Sequence, residues 1–580
     1  MMKPVAVGWS LGIEPGGLPA AILLGVLVVF PLLSSAQPSG GLFTPRTSFN
    51  ATNRIVSVSV FHWYTSNGGQ LTGPWRPLEG RANWTGETNF WKGQIKQIMM
   101  ANIDMLYVHL IPSSEQQRIN LFQALNQLRF EGYDVPKVAP FLDPMITWDQ
   151  QPLVNVATAT GKDTFVNQYI RFFNQYYSVN QDPFADDYLA RVANRVVLDT
   201  WHVKFNLTNL NSLTRQDVTN RLAAAFGQSH PVFSNGIYMV TTALNDPTLN
   251  FADEKVPQFE ISEYYRSNSY LGTLAVQLKG GYWDQNIRNP GDILKRDGGS
   301  HFTNAWNMIN RTTVRRVYIE SWNEYDEGSG IYAANTGPPY IQPGSGNTNT
   351  DYWSSANDPY EYIKSTAKGA AAFNDVSNHS AKILWHNIPT NMMPGEMRIA
   401  TVIVRNEGDV SWTAAANYKF GQKEFLDPAL FGPGRYLLAD SQDEIPIYGG
   451  IFRGRPKTFQ VSLTAPTVPG IYPTHWSMLQ ELVEWFGEEL FIPITVGVPT
   501  KISDIIIQNS DVVLTWNATN AVKYSLQFAD YSTPPATTWT DVPGATNLQG
   551  PTSAPYKLIG TNVSGASGTS RFYRVKLEEE

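Results

Sequence analysis

The chain has 580 residues, with 43 lysines and arginines against 50 aspartates and glutamates and a formal charge of −7. That length exceeds one ordinary core and predicts two to four domains, and no basic run is present to neutralise a phosphate backbone, which argues against nucleic acid as a partner. The complete absence of cysteine excludes disulfides, thiolate zinc sites, iron–sulfur clusters and a cysteine nucleophile. Aromatic residues make up 12% of the chain, which reads either as plain core packing or as flat platforms for sugar rings and other apolar ligand faces.

Near the start, Lys3 precedes the apolar stretch LPAAILLGVLVVFPLLSSAQP, which ends in the small residues Ser34, Ser35 and Ala36. Interrupted at Pro31, the run falls short of the roughly 20 residues of a spanning helix, so residues 1–36 read as a signal peptide cleaved near Ala36. An uncleaved anchor is the alternative. Export without disulfides points to a bacterial source and a secreted, periplasmic or cell-surface protein with no transmembrane segment after cleavage.

From Thr44 to about Asp375, apolar strand-like runs alternate with stretches of helical period. The predicted strands are Ile55–Phe61, Ile103–Leu110, Lys137–Leu142, Arg195–Asp199, Gly236–Thr242, Phe259–Ile261, Val276–Trp283 and Val314–Ser321. Phe90–Met100, Gln116–Phe130, Thr164–Tyr176, Thr214–Phe226, Phe302–Ile309 and Asp358–Phe373 read as helices. The alternation predicts an α/β fold, a (β/α)8 TIM barrel over 42–378. A doubly wound open sheet is the alternative, but no GxGxxG follows the first strand and no GxxxxGK[ST] occurs. After about Asp375 the pattern changes to short alternating runs between Pro and Gly turns, which predicts two all-β sandwich domains at 379–499 and 500–580.

The segment VYIESWNEYDEGSGIYAA carries the most chemistry. A strand ends near Ser321, and Trp322, Asn323, Glu324, Tyr325, Asp326 and Glu327 follow at what a barrel makes its catalytic face. Glu324 and Glu327 are three apart, so a turn brings them together where a continuing strand would not, and Gly328 and Gly330 favour the turn. Two carboxyls about 5–5.5 Å apart suit retaining glycoside hydrolysis, because like charges that close raise one pKa. An ordinary solvated loop is the bland alternative, and a calcium loop lacks the DxDxDG order.

WNEYDEG resembles the signature at a barrel strand end in glycoside hydrolase family 99, the endo-α-mannosidases and endo-mannanases, and less closely that of the family 71 α-1,3-glucanases. FHWY at 61–64 resembles the aromatic motif closing the first strand in family 99, and FWKGQIKQIMMANIDMLYVHL resembles its next βα unit. The resemblance implies that Glu324 deprotonates the sugar 2-hydroxyl for attack on its own anomeric carbon, and that Glu327 is the general acid, then base, at the leaving oxygen. Tyr325-Asp326 stands where family 99 usually has Trp-His, a departure that bears on the substrate more than on the chemistry. Segments in 383–498 resemble the Ig-like domain of selective-autophagy receptors, with Trp412 and Trp476 as core residues, and 501–580 resembles fibronectin type III modules.

The other predicted strand ends carry His62, His109, His202, Asp143, Asp199, Glu263 and Asp284, with Trp63, Tyr64, Trp201 and Trp283 beside them. Together with Trp322, Asn323 and Tyr325 they are the expected substrate-binding set. Three histidines at one mouth could bind Zn²⁺, yet they lack HExxH spacing, and sugar contacts or packing explain them as well. Catalysis is expected to need no metal and no cofactor. The sequence thus predicts an exported, monomeric, retaining glycoside hydrolase, endo-acting on α-linked mannan or glucan. A non-catalytic glycan-binding or cell-surface protein on the same scaffold is the rival.

Overall fold

The structure, a computed structural model, describes residues 38–66, 71–147, 153–201, 206–242, 251–257, 261–348, 350–423, 431–438, 450–497, 502–518, 522–530, 538–551, 557–562 and 571–578. The expected signal peptide and His202 lie outside them. Among the described residues no helix is long and apolar enough to cross a membrane.

Eight parallel strands run through a 10-stranded sheet. They are β1 (Ile55–Val60), β2 (Met105–His109), β3 (Lys137–Leu142), β4 (Arg195–Trp201), β5 (Ile237–Thr242), β6 (Glu254–Val256), β7 (Thr273–Lys279) and β8 (Val314–Glu320). Their Val- and Ile-rich runs are buried nearly throughout, as expected of parallel strands covered on both faces. β8 pairs with both β1 and β7, so the order β7-β8-β1-β2-β3-β4-β5-β6 bends almost into a ring. A strand at Tyr265–Tyr270 forms an antiparallel hairpin with β7, and from it Asn268 Nδ2 donates to the Lys255 carbonyl of β6 at 3.1 Å. Among the described residues no ladder joins β6 to β7, so the sheet is nearly closed.

Helices α1 (Thr88–Met100), α2 (Glu115–Phe130), α3 (Ala159–Val179) and α4 (Arg215–Phe226) follow the first four strands, α5 (Ser300–Asn307) precedes β8, and α6 (Glu361–Asn374) follows it. Thr158 caps α3 by accepting from the Gly161 amide at 3.0 Å, and Thr214 and Asp217 form a reciprocal capping box on α4. The expected regular alternation fails between β5 and β7. No helix is present there among the described residues, and the hairpin takes the place of a crossover. The sixth strand among the described residues is Glu254–Val256; of the expected strand Phe259–Ile261, Phe259 and Glu260 lie outside the described residues and Ile261 sits in a turn. The seventh begins earlier than expected and stops at Lys279, because Gly280 and Gly281 turn the chain before a separate two-residue strand at Tyr282–Trp283.

Apolar side chains gather in three cores. The first spans Ile55 to Phe373 and also takes in Phe452. The second is shared by two antiparallel sheets: Val402, Phe459 and Val461 come from one, and Phe420, Trp476 and Met478 from the other, the arrangement of a β-sandwich. Trp412 and Trp476 are fully buried within it. The third surrounds Leu514, Trp516, Tyr524 and Leu526. First and second cores interlock. Phe452 packs near Tyr133, the Asp134 amide donates to the Gly454 carbonyl at 2.9 Å, and Arg405 Nη1 donates to Thr44 Oγ1 at 3.0 Å and to the Gly132 carbonyl at 3.2 Å.

Candidate functional site

β8 delivers the acidic segment. Past Glu320 the chain leaves the strand and turns, with the Gly328 amide donating to the Tyr325 carbonyl at 3.1 Å and Gly328 at φ 60°, a left-handed value that glycine adopts freely. Several contacts fix the turn. Asn323 clasps the end of β1, its Oδ1 accepting from the Phe61 amide at 2.9 Å and its Nδ2 donating to the Phe61 carbonyl at 2.8 Å. Asp326 Oδ1 accepts from the Thr72 and Gly73 amides at 2.7 and 3.1 Å. Buried Arg296 donates from Nη2 to the Gly328 and Gly330 carbonyls at 2.7 and 2.6 Å. At Gly73 a Cβ would lie 1.8 Å from the Tyr325 carbonyl oxygen, so only glycine permits this approach.

Three glutamates meet at this turn. Glu324 is fixed at its backbone, whose amide donates to Ser321 Oγ at 2.8 Å, and at Oε2, which accepts from Ser329 Oγ at 3.1 Å. Burial pushes its carboxyl well above the usual range, and the nearby charges of Glu327 and Glu320 add to the shift. Glu320 stands opposite Lys279 across the β7–β8 ladder, and its Oε2 accepts from Gln277 Nε2. Burial raises Glu320 to about 7 despite the Lys279 charge. Glu327 instead pairs with Arg288 Nη2 at 2.7 Å. That guanidinium is held in turn by Asp284 at 2.6 Å and by the Tyr282 hydroxyl at 2.8 Å. The two neighbouring glutamates thus sit in different surroundings, one buried and one ion-paired.

A cavity opens beside Glu320 and Glu324 at the C-terminal ends of the strands, and Glu327 does not line it. Glu320, Glu324, Asp143 and Asp199 line it, together with Trp201 and Phe61. Tyr107 and Tyr318 line it too, with their hydroxyls 2.9 Å apart. Burial, with the Glu254 charge, pushes Asp199 well above the usual carboxylate range.

The expected substrate-binding residues divide. Asp143, Asp199 and Trp201 line the cavity. Tyr64 lies close enough to Glu324, Asp326 and Glu327 for their charges to raise its phenol, after burial as the main cause. His109 and Trp63 are buried against each other, ring centroids 4.5 Å apart, with His109 Nε2 3.8 Å from Asp143 Oδ2. His62 is fully buried and pushed well below its usual value, first by burial and then by the Arg118 and His109 charges. Neither histidine lines the cavity, and among the described residues no group of three or more His, Asp or Glu side chains could hold a metal ion.

Other expectations are corrected. Trp322, Trp283 and Tyr325 are buried to 1% exposure or less, so none presents a sugar platform. The Trp322 indole donates to Gln94 Oε1 of α1 at 2.9 Å, Tyr325 stacks on Tyr332, and Trp283 contributes its backbone amide to the Glu327 carbonyl at 2.8 Å. Asn323 is a clasp, and Asp284 is the anchor of Arg288. Glu263 lies exposed, 3.7 Å from Arg266, just before the hairpin strand whose Tyr265 pairs with Leu278 near the end of β7, and it does not line the cavity. Sequence reasoning missed Glu320, Gln277, Lys279 and Arg288. The signal for Glu320 was present in β8, where Arg316, Tyr318 and Glu320 alternate as a polar inner face.

No protein-family model matches the chain, and neither does any curated protein. Among solved structures, the GH99 endo-alpha-mannosidase from Bacteroides thetaiotaomicron is similar at 13% identity and a TM-score of 0.40, over 55% of this chain and 97% of that one. The exo-chitosanase from Amycolatopsis orientalis reaches 9% identity and a TM-score of 0.27, over 87% and 62%. A family 39 glycoside hydrolase from Bacteroides cellulosilyticus WH2 also has 9% identity and a TM-score of 0.27, over 70% and 81%. All three are glycoside hydrolases, but likeness this slight decides neither fold nor chemistry, for which the chain's own residues must speak.

Proposed function

We propose that the chain is an exported, retaining glycoside hydrolase, endo-acting on an α-linked mannan or glucan, built on a (β/α)8-type barrel over 42–378 with Ig-like and fibronectin type III-like modules after it. The observation that carries this reading is the divergence of Glu324 and Glu327 on one turn. Burial, with the nearby Glu327 and Glu320 charges, pushes one carboxyl well above its usual range, while the other is ion-paired with Arg288. Paired acid and base is what glycosidic cleavage requires.

The surroundings favour Glu324 as the acid and Glu327 as the base, which exchanges the roles that the resemblance to family 99 implies. Glu324 gives its proton to the leaving oxygen as the glycosidic bond breaks. Glu327 takes the proton of the sugar 2-hydroxyl, whose oxygen closes on the anomeric carbon. Water then opens the anhydro ring, losing its proton to Glu324, and Glu327 returns its proton to the 2-oxygen. Net consumption is one water per bond. Release of reducing ends from α-mannans and α-glucans, compared with Glu324→Gln and Glu327→Gln, tests this. Glycan binding without release by the unmodified chain would support the rival binding protein.

A further inference from the structure

The cavity beside Glu324 has a chemistry that neutral sugars leave unanswered. Four carboxyl groups line it, from Asp143, Asp199, Glu320 and Glu324. Among its described lining residues there is no lysine, arginine or histidine. Crowded acids are not by themselves a site, but here the buried oxygens around them are also unused. Asp199 Oδ1, Gln277 Oε1 and Thr242 Oγ1 have no hydrogen-bond partner, although Asp199, Gln277 and Thr242 are 3%, 7% and 6% exposed. Buried polar atoms normally find partners, and one left alone is destabilising. Two of these three atoms only accept when Asp199 is ionised. A ligand that completes the cavity therefore brings several donors and a positive charge. Lys279, whose charge acts on both Glu320 and Glu324 and whose Nζ lies 4.8 Å from the Tyr282 ring centroid, is not among the residues that line the cavity.

We propose that this cavity receives a sugar unit bearing a free amino group, so that the substrate is a cationic, aminated α-linked glycan in place of a wholly neutral mannan or glucan. An ammonium group supplies up to three N–H donors and one charge, matching the open acceptors in kind. It also sets a favourable charge beside Asp199 and Glu324, whose carboxyls burial pushes above their usual range. A metal ion would meet the same charge, but among the described residues no three carboxyls or histidines are grouped to coordinate one. This inference rests on the sugar-site reading above, though its test needs no turnover. A 2-amino unit lacks the hydroxyl that the proposed route uses, so the amine of a cleaved unit sits at another ring position or on the next unit along the chain.

The experiment is calorimetric titration of the full chain at pH 7 with methyl α-D-mannopyranoside and its 2-, 3-, 4- and 6-amino-deoxy counterparts. At least one amino glycoside is expected to bind about tenfold tighter than the neutral parent. That preference should vanish in Asp199→Asn and shrink in Thr242→Val, with unchanged thermal unfolding showing that both variants fold. Equal affinity for neutral and amino glycosides, binding of neither, or a preference that survives Asp199→Asn would overturn the inference. A preserved amine preference without any hydrolysis of α-glycans would instead sink the hydrolase reading and leave the amine site standing.

Discussion

The interior of the strand ring holds buried charge at two levels, and they are handled in opposite ways. Lower down, Glu254 is 1% exposed and fully engaged. Arg316 Nε lies 3.0 Å from its Oε2, the Tyr238 hydroxyl donates to the same oxygen at 2.9 Å, and the Tyr318 hydroxyl donates to Oε1 at 3.1 Å. At the mouth, Asp199, Gln277 and Thr242 each keep an unmatched oxygen. A satisfied network fixes structure, whereas an unsatisfied one carries a standing cost that a ligand can remove. Chemistry belongs at the level where partners are missing.

Four experiments probe that contrast, beginning with the largest effect. Glu324→Gln and Glu327→Gln are expected to lower kcat by about 10²–10⁴-fold, the usual worth of a positioned proton-transfer group, with little change in the urea midpoint. Replacing a lower-level residue should do the reverse. Arg316→Met leaves the Glu254 carboxylate buried without its cation and should cost about 3–5 kcal/mol by chemical denaturation. If the two sets of variants shift activity and stability alike, the two levels are not distinct.

The third experiment concerns pH. Glu320 rests at about 7 in the fold against 4.5 unperturbed. Between those values the folded chain keeps a proton that the unfolded chain releases, so this group lowers stability as pH rises from about 4.5 to 7 and changes little above. Glu320→Gln should flatten that slope, reducing the stability difference between pH 5 and pH 8 by about 2–3 kcal/mol. An unchanged slope in thermal unfolding would show that Glu320 is not the group responsible. Smallest is the comparison of two hydroxyls. Tyr238→Phe removes a donor to Glu254 and should cost about 1–2 kcal/mol, while Thr242→Val deletes an unmatched hydroxyl and should be neutral or stabilising by up to about 1 kcal/mol.

Strand positions were legible where apolar β-branched runs were long. β1 to β5 and β8 fall within a few residues of their expected places, because buried parallel strands write themselves as continuous Val, Ile and Leu. Glu254–Val256 was not legible. It is three residues long and its Glu and Lys point into buried surroundings, so nothing in its composition reads as a strand. At the site, the strand-end rule located Asp143 and Asp199 beside the cavity, and residue spacing placed Glu324 and Glu327 on one turn. It misjudged the rings of Trp322 and Tyr325. An aromatic in a tight turn faces either the cleft or the helices behind it, and only the partners, Gln94 for one and Tyr332 for the other, decide which. Lys279 and Glu320 face each other through a register that no local pattern reveals.

The interlock around Phe452 has a practical corollary. Gly454 holds φ 81°, a left-handed value that glycine adopts freely, and its carbonyl accepts from the Asp134 amide at 2.9 Å, so the β-rich unit after residue 380 is not a bead on a string that can be trimmed or exchanged at will. A fragment stopping at 378 bares Tyr133 and the groups that Arg405 engages, and solubility on expression should suffer accordingly. Recombination that grafts a foreign module onto this nearly closed sheet would have to bring a matching glycine and ring with it.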